Sequence, residues 1–254
     1  PKINSESISR ITEGIGQILA KSGYQMLLTI TNNNSSKELE YVDLFEAYPV
    51  DGIILVGTVL TRAHKKKLKE CKVPIVVIGQ YTKETSCVYH DDYGAAKALA
   101  EQVGREASGR VAYIGVTRED KAAGAAREDG FREGLKEVGK ELEESCLRRA
   151  KFTMESGYEQ AVDLLEKEHD IDIISCATDT IAAGAIEAIA QYSPERKIQV
   201  TGFGDNQFLK AVTGGIRTVH FAYQTSGIKG AELLLEMIES EKTRMTEMKL
   251  GCEL

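Results

Sequence analysis

No stretch of the chain approaches the roughly 20 consecutive apolar residues that a membrane-spanning helix needs, so an integral helical membrane protein is excluded. Paired cysteine motifs are also missing. The five cysteines, at 71, 87, 146, 176 and 252, are odd in number, lie far apart and form no C-x-x-C, which argues against a disulfide scaffold, a zinc site or a redox motif. Scattered free thiols fit a reducing, cytoplasmic compartment, and no signal peptide is visible. Basic charge is scarce: 32 Lys+Arg against 39 Asp+Glu leave a net charge of −7. An acidic chain is a poor non-specific nucleic-acid binder, and Lys65–Lys67 and Arg148-Arg149 are too short to form a phosphate track. Enzymatic signatures are missing as well: no G-x-S-x-G, no H-E-x-x-H, no Walker loop and no G-x-G-x-x-G after a strand.

What the chain does have is an ordinary globular composition, 42 % apolar and 28 % charged over 254 residues. Disorder and coiled coil are excluded, and one large or two small domains are expected. Short apolar runs at 25–30, 52–56, 74–78, 111–114, 171–176 and 198–203 read as buried strands. Amphipathic stretches lie between them: 8–19, 95–103, 161–165, 181–189 and 231–238. Continuous apolar strands alternating with helices indicate parallel sheets covered on both faces, a doubly wound α/β class, here in two lobes of about six strands each. A short strand at 88–90 closes the first set, and a helix at Asp91-Asp92 opens the second.

In such folds ligands meet the carboxyl ends of strands. Those ends read Gly79-Gln80-Tyr81, Gly115-Val116-Thr117, Ala177-Thr178-Asp179, Gly202-Phe203-Gly204-Asp205-Asn206 and His220-Phe221-Ala222-Tyr223. Amides, hydroxyls, carboxylates and aromatics suit sugar recognition. The same residues also serve as helix caps, Thr178 or Asp179 above all. His64, beside the lysine run, is expected at the surface. His90 reads either as a general base or as a strand-end hinge residue, and neither His169, between Glu168 and Asp170, nor His220 belongs to a pair that must be catalytic. No catalytic or metal-binding set stands out, and no cofactor is implied.

Seven motifs in order resemble the effector-binding core of the lactose-repressor (LacI/GalR) family of transcription factors. They are Val50-Asp51-Gly52-Ile53-Ile54, Val73-Pro74-Ile75-Val76, His90-Asp91-Asp92-Tyr93-Gly94-Ala95, Arg127-Glu128-Asp129-Gly130-Phe131, Cys176-Ala177-Thr178-Asp179-Thr180, Gly202-Phe203-Gly204-Asp205 and Thr218-Val219. The resemblance covers essentially the whole chain. It implies a periplasmic-binding-protein-like fold: an N-terminal lobe of 1–90 plus 222–249, a C-terminal lobe of 91–221 plus 250–254, and three crossovers. An effector would bind between the lobes and close them. The family's helix-turn-helix would precede Pro1, so operator DNA would be met only through that absent domain.

Carried over residue by residue, the resemblance makes Arg127 the anchor for effector oxygens. It places Ser5, Ser7, Ile8 and Ile11 where the first helix lines the pocket, and Phe221 and Tyr223 where ligand faces stack. Gly79-Gln80 and Gly204 replace bulkier or acidic family residues, which points to a larger or anionic effector bonded by Gln80, Thr178 and Asp205. Within the family the chain most resembles repressors answering to trehalose 6-phosphate or sucrose. Lys2, beside the first turn of the Ser5–Ser7 helix, reads as a phosphate partner or as a frayed terminal charge. A homodimer is expected, with Leu44, Phe45 and Tyr48 as candidate contacts or, for Leu44 above all, as residues facing their own sheet. Two other classes fit the pattern: a secreted sugar-binding protein of a transporter, and a flavodoxin-like sugar-phosphate enzyme.

Overall fold

The computed structural model describes residues 5–240 and 245–254. The chain divides into two compact units, Pro1–His90 with Ala222–Gly251, and Asp91–Phe221 with Cys252–Leu254. It passes from one unit to the other after His90, after Phe221 and after Gly251.

Unit 1 contains α1 (Glu6–Lys21), α2 (Ser35–Ala47), β1 (Ile53–Val56), α3 (Arg62–Glu70), β2 (Ile75–Ile78), β3 (Ser86–His90), α9 (Tyr223–Glu239) and β9 (Glu247–Leu250). Its strands form a parallel sheet in the order β1-β2-β3-β9. Alternation along each strand sends successive side chains to opposite faces. On one face, Ile53, Leu55, Val77 and Cys87 meet Val42 of α2 and Leu68 of α3. On the other, Ile78 meets Ile11, Ile15 and Leu19 of α1 and Ala231 and Leu235 of α9. Asn34 caps α2 by accepting from the Ser36 and Lys37 amides, and Thr61 forms a capping box with His64 on α3.

Two expectations fail here. Residues 25–30 form no strand, so the sheet of unit 1 has four strands among the described residues rather than about six. A strand needs a neighbour to receive its hydrogen bonds. This run instead lies unpaired, with Met26, Leu27, Leu28 and Ile30 all exposed. His64, expected at the surface, is 1 % exposed: its Nε2 lies 3.1 Å from Glu38 Oε2, itself buried, and its Nδ1 lies 2.8 Å from Thr61 Oγ1. Lys65 and Lys66 are exposed on the outer face of the same helix, while His64 and Leu68, one turn apart, face inward.

Unit 2 contains α4 (Asp92–Glu106), β4 (Arg110–Gly115), a π-helical turn (Lys121–Ala126), α5 (Arg127–Glu137), β5 (Leu147–Arg149), α6 (Met154–Lys167), β6 (Ile171–Cys176), α7 (Asp179–Tyr192), β7 (Gln199–Phe203), α8 (Gln207–Thr213), β8 (Arg217–Phe221) and β10 (Cys252–Glu253). The sheet runs β10-β8-β7-β6-β4-β5, parallel except for β10 against β8. Helices α4 and α5 cross at glycine: a Cβ on Gly130 would stand 2.2 Å from the Tyr93 carbonyl oxygen. Only hydrogen fits, which lets the two backbones touch. No helix among the described residues is long and apolar enough to cross a membrane.

Candidate functional site

The carboxyl ends of β6, β7 and β8 gather the polar residues of unit 2. Arg127, the first residue of α5, directly follows the π-helical turn, whose wider winding is often found at functional sites. Its side chain is buried. Nε donates to Asp92 Oδ1 at 2.7 Å, and Nη1 donates to the Ala177 carbonyl at 2.6 Å. The guanidinium carbon lies 5.0 Å from the Phe203 ring centre and 4.6 Å from that of Phe221, and the two rings stack at 6.3 Å. Carboxylate, carbonyl and two aromatic faces hold the plane of the guanidinium in one orientation.

Asp179 is buried beneath the same strand ends. It accepts from Thr218 Oγ1 and from the Asn206 amide, each at 2.7 Å. Burial raises its carboxyl above the ordinary value, and these hydrogen bonds bring it only part of the way back. The sequence Gly202-Phe203-Gly204 makes room for it. A Cβ on Gly202 would lie 2.1 Å from Asp179 Oδ1, and Gly204 has φ +141°, which disfavours a side chain.

Asp205 follows in the left-handed region at φ 54°. Lys210 Nζ donates to its Oδ1 at 2.7 Å, Gln207 Nε2 donates to Oδ2 at 2.9 Å, and His220 Nδ1 lies 2.8 Å from Oδ2. Burial would raise this carboxyl, but Lys210 and His220 outweigh it and hold it below the usual range. The sequence separates His220 from any carboxylate; the β7–β8 register, Phe203 beside Val219, closes that gap.

Of the residues expected at the site, unit 2 brings Arg127, Asp205 and Phe221 to these strand ends, with Thr178 at the start of α7. Thr178 acts as the helix cap, its Oγ1 accepting from the Ile181 amide at 3.3 Å. Phe221 is fully buried and backs Arg127 rather than presenting an open stacking face. In unit 1, Gln80 is buried after β2. Tyr223 begins α9 and meets the His90 ring edge-on at 5.5 Å. The Ser5 and Ser7 hydroxyls bond each other at 2.7 Å, so Ser5 does not cap α1 with its side chain. Ile8 packs into the core with Ile15 and Leu19. Lys2 lies outside the described residues. Asp92, Asp179, Phe203, Thr218 and His220 complete the arrangement; the motifs and strand ends read from the sequence contain all five, but none was expected as a site residue. Their signal is positional: Asp92 and Asp179 start helices, Phe203 and His220 lie at strand ends, and Thr218 lies beside Gly202 in the sheet.

Residues 7–253 match the profile of the family described as periplasmic binding proteins and sugar binding domain of LacI family. The chain belongs to that family. This LacI-family core is 27 % identical over 246 residues to the sucrose operon repressor of Staphylococcus xylosus, covering 95 % of this chain and 75 % of the repressor. It is 24 % identical over 245 residues to catabolite control protein A of Priestia megaterium, covering 95 % and 74 %. Solved structures share its fold. The transcriptional regulator CelR–cellobiose complex superposes with TM-score 0.88 at 24 % identity, covering 97 % of this chain and 77 % of that one. The trehalose repressor from Escherichia coli gives 0.86 at 20 %, covering 100 % and 96 %. The relatives are transcription regulators, and the LacI-family core is a regulator's effector-binding domain, not an enzyme. The sugar-phosphate enzyme alternative is thereby set aside.

The carboxylates of unit 2 make its stability acid-sensitive. Glu128 is buried, which would raise its carboxyl, but Arg149 (Nη1 at 2.5 Å), Arg118 and Arg132 hold it low. Asp205 is also lowered. A lowered folded value adds stability that is complete above the ordinary carboxylate range, about pH 4, and is lost as pH falls through it. Asp179, raised, opposes this weakly on acidification. Circular-dichroism unfolding between pH 7 and pH 3 is expected to lose midpoint mainly below about pH 4, and less steeply in Glu128→Gln.

Proposed function

We propose that the chain senses a sugar for a cytoplasmic LacI-type repressor of carbohydrate use, and that the effector is a disaccharide or sugar phosphate of the sucrose or trehalose 6-phosphate kind. One observation carries this reading: the buried, oriented Arg127 at the strand ends of unit 2, a fork suited to paired ligand oxygens. Asp205 with His220, and Thr178, supply further hydrogen-bonding groups at neighbouring strand ends. Gln80 and Tyr223 are the corresponding proposals in unit 1, and the Ser5–Ser7 start of α1 is the proposed seat of a phosphate. The kinship with a sucrose operon repressor supports the sugar class.

Calorimetry with trehalose 6-phosphate, sucrose, sucrose 6-phosphate, glucose and guanine tests it. A disaccharide or its phosphate is expected to bind. Binding of guanine with no disaccharide would refute the pocket reading, while equal binding of sucrose and its phosphate would remove only the anion site.

Effector binding is further proposed to rearrange the two units and so change operator affinity through domains outside this chain. The core is proposed to pair as a homodimer through α2, where Leu44 and Tyr48 are exposed while Phe45 packs on its own sheet. Small-angle scattering at tens of micromolar checks both. The forward intensity is expected to give a dimer mass, and saturating ligand to lower the radius of gyration. A monomer, or an unchanged radius, would count against the respective claim.

A further inference from the structure

Tyr113 on β4 carries a hydroxyl that the fold of unit 2 does not use. The side chain is fully buried, and its Oη has no hydrogen-bond partner among the described residues. Buried phenols ordinarily find one, because a desolvated and unbonded polar group costs stability. Packing does not call for the oxygen. The ring lies against Phe131 of α5 at 4.9 Å between centres, a contact that phenylalanine would make equally well. Gly115, two residues on, makes space for the ring edge: a Cβ there would stand 3.0 Å from Tyr113 Cε1.

The sheet fixes what lies near this hydroxyl. Tyr113 is in register with Ser175, and Ser175 with Thr201, so the three side chains share one face. Two residues on, that face carries Phe203, whose ring holds the Arg127 guanidinium. Phe131 follows Arg127 by one turn of α5. Tyr113 and Arg127 therefore share one layer of unit 2. The other polar groups of this layer are engaged. The Ser175 and Thr201 hydroxyls bond each other at 2.7 Å. Glu128 is held by Arg149, Arg118 and Arg132 at 2.5, 3.0 and 3.6 Å. Burial pushes the phenol up, and Arg127 is the charge that most opposes this.

We infer that Tyr113 is a positioning residue for effector recognition: its hydroxyl oxygen accepts an Arg127 N–H once effector oxygens draw the guanidinium from its free-state bonds. The inference rests on the reading of Arg127 as the effector's anchor. In the free chain Arg127 donates to Asp92 and to the Ala177 carbonyl. Two effector oxygens compete for the same fork, so the guanidinium shifts. An N–H displaced from a protein partner in a buried site needs another acceptor. Tyr113 Oη is an acceptor on the same face with no other bond to give up. A contact made only in the bound state adds to affinity, whereas one equally present in both states adds nothing.

Tyr113→Phe tests this, since it removes the oxygen and keeps the ring. Denaturant titration of the free variant is expected to give a midpoint at or above the parent's, because an unbonded buried hydroxyl is gone. Calorimetry with trehalose 6-phosphate, sucrose and sucrose 6-phosphate is expected to show a Kd about tenfold weaker for whichever binds the parent, the lower end for a hydrogen bond to a charged group. A purely structural role gives the opposite pairing, a lower midpoint with Kd unchanged. A lower midpoint overturns the inference, because the hydroxyl would then be bonded in the free chain. Equal affinity in variant and parent overturns the role of Tyr113 alone. Failure of all three sugars to bind the parent overturns the anchor reading of Arg127, and the role of Tyr113 falls with it.

Discussion

Replacing Arg127 by alanine is expected to lower the unfolding free energy by about 3–5 kcal/mol, the cost of breaking a buried ion pair on one side. Asp92 is 5 % exposed and would be left in the interior without the guanidinium 2.7 Å away that pairs with it. The Ala177 carbonyl would lose a donor, and the Phe203–Phe221 pair would face a void. The same residue is proposed to anchor the effector, so loss of binding in Arg127→Ala would not by itself separate the two roles. The pair Asp92→Leu with Arg127→Met does. Replacing both charges by apolar groups of similar size is often neutral or stabilising. The double variant is expected to recover most of the lost stability in denaturant titration, while sugar binding by calorimetry stays lost. A double variant that binds normally would remove Arg127 from the recognition role, and a single variant with an unchanged midpoint would remove it from the structural one.

The second large effect lies in unit 1. His64→Ala is expected to cost about 3 kcal/mol, the upper end of the penalty for leaving a buried polar group unsatisfied. Among the described residues Glu38 would retain the Thr31 hydroxyl, 3.3 Å from Oε1. The Thr61 amide and hydroxyl would both lose His64 Nδ1, 3.3 Å and 2.8 Å away, while the backbone amide of residue 64 would still donate to Thr61 Oγ1. The pair ties α2 to α3 across one face of the sheet, so the loss should appear as a lower unfolding midpoint and faster amide exchange in both helices. A midpoint within experimental error of the parent would show that the pair contributes nothing net.

Two kinds of information meet in this chain. The α/β class was legible because its signals are local. Apolar runs such as 75–78 and 171–176 differ in period from the helices between them, and Thr178 sits directly before its helix. Arg127 was singled out through its motif, and its burial against Asp92 shows only in the structure. The run 25–30 was read as a strand on the same local grounds and forms none, because pairing is a property of two segments and the apolar pattern of one cannot supply the other. His64 was misplaced because three neighbouring lysines dominate its local composition, whereas its partner Glu38 is 26 residues away. Phe221 was read as an open face. Only the packing of β8 beside β7 shows that it is spent backing Arg127. By itself the sequence determined which segments are strands or helices wherever periodicity and caps act over a few residues, and which family the motifs resemble. The tertiary structure alone decided which polar groups are buried together: Arg127 with Asp92, Asp179 with Thr218, Asp205 with His220, and Glu38 with His64. The reason is that desolvation and hydrogen bonding act through space, between residues that sequence separation does not relate.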